Sequence, residues 1–198
     1  MMASLLLPGL AHSCECLWNG PFTQVQGSTD LVVSGEVLSS RGNYIDLGVQ
    51  RILRGRAFLE DIRIWTKTGE LCRPKVDQFP PGSRWLMALD RIEENQPGGF
   101  DPNTPNISYG RIGDYSVSSC GGYWLSLTED LVTGNLAGGT RWEMNPKMTP
   151  VIFDLVVSFV EGKVPASVLL EASQEDPLIK QMMLDTRSFI REESYQSN

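Results

Sequence analysis

Four cysteines carry most of the chemistry this chain offers, and two of them stand one residue apart in Cys14-Glu15-Cys16. The other two, Cys72 and Cys120, are distant in sequence. Such thiols either oxidise to disulfides or bind a metal as thiolates. In an extended backbone the side chains of Cys14 and Cys16 leave in opposite directions. The pair cannot easily close on itself, and each member looks for a different distant partner. Four cysteines allow three pairings, and the sequence alone does not choose among them. Structural zinc is the competing use, but such sites are usually built on CxxC knuckles, which this chain lacks. The expectation is a pair of long-range disulfides fastened to one three-residue segment, held rigidly at the surface and forming the working part of the protein.

The rest of the sequence is poor in catalytic groups. The single histidine, His12, precedes the cysteines, so a chain cut after residue 13 has no Ser-His-Asp, Cys-His or histidine-based zinc centre. Gly121-Gly122 and Gly138-Gly139 lack the spacing of a phosphate-binding loop. The acidic pairs Glu93-Glu94 and Glu129-Asp130 read as solvated faces, and Asp101 with Asn103 lacks the spacing of an EF-hand. Asn106-Ile107-Ser108 is a formal glycosylation sequon. The net charge of −7 argues against a nucleic-acid partner, because phosphates want a basic face. No enzymatic activity and no cofactor are expected.

Residues 1–13 read as a signal peptide. Leu5-Leu6-Leu7 supplies an apolar stretch, and Ala11 and Ser13 are the small residues at −3 and −1 of a cut before Cys14. That places the protein outside the cytoplasm, secreted or periplasmic, where disulfides persist. An ordinary buried N-terminal strand is the alternative; a lipid anchor on Cys14 is a third reading, but Ala11-His12-Ser13 fits a lipobox poorly and acylation would strand one of the other thiols. No uninterrupted apolar run is long enough to span a membrane.

Strands separated by turn chemistry must position the cysteines. Asp30 to Leu38 is β-branched, with Gly35 marking a bend or bulge, and Arg41-Gly42-Asn43 makes a turn. Tyr44 to Leu53, Ile62 to about Thr66, Arg84 to Ile92 and Tyr115 to Cys120 complete five strands, and Glu93 to Asp114 reads as a long exposed loop. Five strands with one glycine-bent member form a small closed Greek-key barrel. Leu127 to Leu136 reads as a short helix with Thr128 at its N-cap. Thr149-Pro150 opens a longer helix stopped by Gly162, and Ser167 to Ala172 forms another. Asp176-Pro177 starts a last one that carries Leu178, Ile179, Met182, Met183 and Ile190. Residues 139–198 are read as a helical extension packed on the barrel.

Together these pieces resemble one family. Cys-x-Cys at a processed terminus, the strand Asp30-Leu31-Val32-Val33-Ser34-Gly35-Glu36-Val37, Gln50-Arg51-Ile52-Leu53-Arg54-Gly55, Trp85-Leu86-Met87-Ala88 and Ser118-Ser119-Cys120 are similar to the netrin-like domain of the tissue inhibitors of metalloproteinases. The resemblance implies a mainly β, five-stranded OB-fold barrel over residues 14–138, with Cys14 paired to Cys72 and Cys16 to Cys120. It implies a zinc metalloproteinase as partner. The amine and carbonyl of Cys14 would chelate the partner's catalytic zinc and displace its water. Glu15 would enter the pocket beyond the scissile bond, where the family usually has Ser or Thr. Leu17, Trp18 and Thr68-Gly69-Glu70-Leu71 would flank the contact. The alternative is a netrin-like binding module that uses the same barrel without touching zinc.

Overall fold

β1 (Leu31–Arg41) and β2 (Tyr44–Arg54) form a long antiparallel hairpin whose inward residues Val33, Val37, Ile45 and Leu47 are fully buried. The structure, a computed structural model, describes residues 14, 16–95, 99, 103, 107–139 and 148–174. β2 pairs with β3 (Asp61–Trp65), and β3 pairs in parallel with the short β5 (Tyr115–Ser116). β5 pairs with β4 (Arg84–Arg91), which returns to β1 from Leu31↔Leu89 to Glu36↔Arg84. The circuit β1-β2-β3-β5-β4-β1 is thus a closed five-stranded barrel of OB-fold type.

Gly35 has the role its sequence context suggests. The ladder shifts register between Ser34 and Gly35. A Cβ at Gly35 would meet the Gly48 carbonyl on the neighbouring strand at 2.4 Å. Only a residue without a side chain lets β2 approach so closely at the bend.

Two expectations are corrected. Residues 127–136 are not helical: β6 (Trp124–Thr128) and β7 (Leu131–Gly134) form a hairpin that extends the sheet from β4. Leu125, Leu127 and Val132 are buried while Thr128 and Leu131 face out, a period of two rather than 3.6. Thr149-Pro150 does not cap a helix either. β8 (Val151–Ile152), a strand of two residues, pairs with β7 and passes directly into α2 (Phe153–Val160). Thr149 Oγ1 instead donates to the Gln174 carbonyl at 2.7 Å. Gly162 follows α2 in the left-handed region at φ 75°, as its position at a helix end requires.

The fifth strand is also shorter than the expected Tyr115 to Cys120, because the chain leaves the ladder after Ser116. The core is continuous. The helical turn α1 (Phe22–Val25) contributes Phe22, α2 contributes Val156, and α3 (Ala166–Ser173) contributes Leu169, all fully buried with the barrel residues. The expected helix from Asp176 lies outside the described residues, as do the leader 1–13 and Asp101 and Asn106 of the loop after β4. No helix among the described residues is long and apolar enough to cross a membrane.

Candidate functional site

Cys14 is bonded to Cys72 and Cys16 to Cys120, with Cα separations of 5.3 and 5.8 Å, ordinary for disulfides. This is the pairing that the resemblance implies. The links span 58 and 104 residues of sequence, so in the chain-entropy account each removes roughly 4 to 5 kcal/mol of unfolded-state freedom at most. All four sulfurs are used, and no cysteine is free.

The two side chains do not diverge as in a flat strand. The sulfurs of Cys14, Cys16 and Cys72 all lie within 4.8 Å of one another. The cause lies in the partners: Ser119 N donates to the Cys72 carbonyl at 2.9 Å, so the loop after β3 and the segment after β5 are neighbours. The cysteines next to them must converge.

The segment after the cysteines is held from both ends. Cys16 is bonded to the Cys120 side chain, and Asn19 N donates to the Cys120 carbonyl at 2.7 Å. Asn19 Nδ2 also donates to the Tyr123 hydroxyl at 3.0 Å, and Gly122 N to the Gly20 carbonyl at 2.9 Å. Between these anchors Leu17 is 84% exposed and Trp18 half-buried. A leucine left in water by an immobilised backbone contributes little burial energy to the fold.

The Cys14–Cys72 bond puts this segment beside the loop Thr68-Gly69-Glu70-Leu71. Leu71 N closes a turn onto the Thr68 carbonyl at 3.2 Å, with Gly69 in the left-handed region at φ 52°. Lys67 ties the base of the loop twice, its N to the Pro74 carbonyl and its Nζ to the Leu71 carbonyl, each at 2.8 Å. Gly69 and Glu70 are exposed, Thr68 and Leu71 half-buried. Glu15, expected to enter a partner's pocket, lies outside the described residues.

Two supporting residues escaped the sequence reading. Arg73 Nη1 donates to the Tyr109 carbonyl at 2.7 Å, joining this loop to the one before β5. Burial pushes its guanidinium down to about 10. Asn43, buried in the β1–β2 turn, spans the same end of the barrel. Its Nδ2 donates to the Thr66 and Ser108 carbonyls at 3.2 and 2.8 Å, and its Oδ1 accepts from Ser108 N at 2.8 Å. A turn asparagine in sequence gives no sign of such distant partners.

A mixed groove lies on the outer barrel wall between β1 and β3, lined by Leu38, Asp46, Leu59, Asp61, Arg63 and Asp114. Three of its charges are engaged internally: Arg63 Nε meets Asp46 at 2.8 Å, and Asp114 accepts from Trp65 Nε1 at 2.7 Å. It contains none of the expected site residues. The cysteine-clamped end of the barrel is therefore the candidate site. No family model matches the chain, and neither a curated protein nor a solved structure matches it, so the site is read from its own residues.

Proposed function

We propose that the protein is an extracellular inhibitor of a zinc metalloproteinase, with its mature chain beginning at Cys14. The observation that carries the reading is Leu17, exposed yet fixed between the Cys16–Cys120 bond and the Asn19–Cys120 hydrogen bond. A segment already ordered in the free protein loses little conformational freedom on docking, so more of its contact energy becomes affinity. The two disulfides are consistent with an oxidising, extracellular setting.

In this reading the Cys14 α-amine, with an ordinary pKa near 8, sheds its proton and donates its lone pair to the partner's zinc. The Cys14 carbonyl completes the chelate. Leu17, Trp18 and residues 68–71 cover the rim of the partner's cleft. Glu15 favours the second reading, a binding module that makes no zinc contact. An unpaired carboxylate is costly to bury in an apolar pocket, so inhibition requires a target with a cation there.

The experiment is inhibition of a panel of zinc proteases by the processed protein and by a variant with one alanine added before Cys14. The insertion is expected to weaken inhibition at least about a hundredfold, roughly 3 kcal/mol, without moving Tm. Inhibition by the native chain should strengthen as pH rises through about 8, where the amine becomes neutral. Equal potency of the two proteins would refute zinc chelation. An inert native protein whose Glu15→Thr variant inhibits would identify Glu15 as what excludes those targets.

A further inference from the structure

We propose that Cys14, Cys16 and Cys72 form, when both disulfides are reduced, a thiolate site for a soft tetrahedral cation, Zn2+ in the first instance. The proposal does not depend on the inhibitory reading. It starts from the mutual approach of the three sulfurs, within 4.8 Å of one another. Tetrahedral zinc with bonds of about 2.3 Å wants its sulfurs about 3.8 Å apart, so small side-chain rotations suffice. Cys120, tied to Cys16 here, is the nearest fourth donor.

What makes this more than a consequence of the disulfides is that other bonds hold the same backbone segments together. Ser119 N to the Cys72 carbonyl, Asn19 N to the Cys120 carbonyl, Gly122 N to the Gly20 carbonyl and Phe22 N to the Asn135 carbonyl run between 2.7 and 2.9 Å, and none passes through sulfur. They tie the segment after Cys16 to the barrel, and the Cys72 loop to the Cys120 segment. Reduction cuts the covalent links but leaves these ties, so Cys72, Cys120 and the segment that follows Cys16 stay gathered, with Cys14 two residues upstream of Cys16.

The electrons and protons balance simply. Each disulfide takes two electrons and two protons from a dithiol reductant, which leaves as its own disulfide, and yields two thiols. Each thiol that binds zinc releases its proton to solvent. The chain then has two closed states of one cluster, two disulfides or one metal, chosen by the surrounding redox potential. In the second state Cys14 is a metal ligand of its own protein. The sequence hides this site because no CxxC knuckle announces it; the fold assembles it from three separate segments.

The test uses Co2+ as a spectroscopic stand-in for Zn2+, with a phosphine as reductant because it binds neither metal strongly. Its oxidation to the phosphine oxide takes oxygen from water and supplies the two hydrogens of each thiol pair. The reduced protein is expected to keep its far-UV dichroism. It should bind one equivalent of Co2+ with a thiolate-to-metal charge-transfer band, and lose the band on adding one equivalent of Zn2+. The oxidised protein should show no band, and Cys72→Ser and Cys16→Ser should each weaken binding at least tenfold. Any of three results overturns the proposal: no band from the reduced protein, a band of equal strength in denaturant or in Cys72→Ser, or collapse of the dichroism on reduction alone.

Discussion

At the scale of single residues, the clamp depends on side chains that the sequence presents as ordinary. Asn43 follows Gly42 and reads as a turn former, yet it is buried and satisfies three backbone groups on two other segments. Asn43→Ala would leave Ser108 N and two carbonyls without partners. A loss of about 3 kcal/mol is expected, seen as a fall in Tm of about 6–12 °C. Asp90 gives the pH prediction. Burial, and then the charge of Asp30, raise its pKa above the ordinary carboxylate value. The folded state therefore holds this proton more tightly than the unfolded chain does. Its destabilising effect is absent in acid, below both pKa values, and grows as pH rises through the raised one. Asp90→Asn should be more stable than the parent at pH 7 and no more stable below about pH 3, as denaturant midpoints at the two pH values will show.

At the scale of elements, the strands that build the barrel were legible and those beyond it were not. β1 to β4 announce themselves through β-branched residues, alternation and strong turn signals such as Arg41-Gly42-Asn43. The β6–β7 hairpin turns instead on Glu129-Asp130, between the paired residues Thr128 and Leu131. Glu129 adopts φ 53°, a left-handed conformation that sequence associates with Gly or Asn. Without that signal, the apolar pairs Leu127/Leu131 and Val132/Leu136, each four residues apart, read as helical spacing. The same feature supports a prediction: Glu129→Gly relieves the strained backbone and should raise stability by about 0.5–1 kcal/mol, measured by reversible thermal unfolding. The start of α2 is hidden in the sequence for a related reason. Thr149-Pro150 is a good start signal taken in isolation, but pairing with β7 draws the next two residues into the sheet.

At the scale of the whole molecule, the cysteines set the long-range order. The candidate site was legible because residue type and spacing alone imply anchoring to distant segments. Its convergent geometry was not, because that depends on Cys72 and Ser119 being neighbours, a fact of barrel closure rather than of local sequence. Replacing Cys16 and Cys120 together by Ala removes the longer link. Global stability is expected to fall by about 2–5 kcal/mol. Hydrogen exchange should rise first at Asn19 and Gly122, whose backbone bonds flank the lost bridge. A uniform rise across the barrel would instead mean that the bridge acts only through the unfolded chain.

β8 is two residues long and its chain turns at once into α2. The extended sheet therefore stops at a margin too short to act as a template, while the barrel below it has closed its own ladder from β4 to β1. A neighbouring molecule in a crowded solution finds little main chain to zip onto at that margin. There, self-association is left to side chains, and fibril-like stacking is discouraged by architecture rather than by charge.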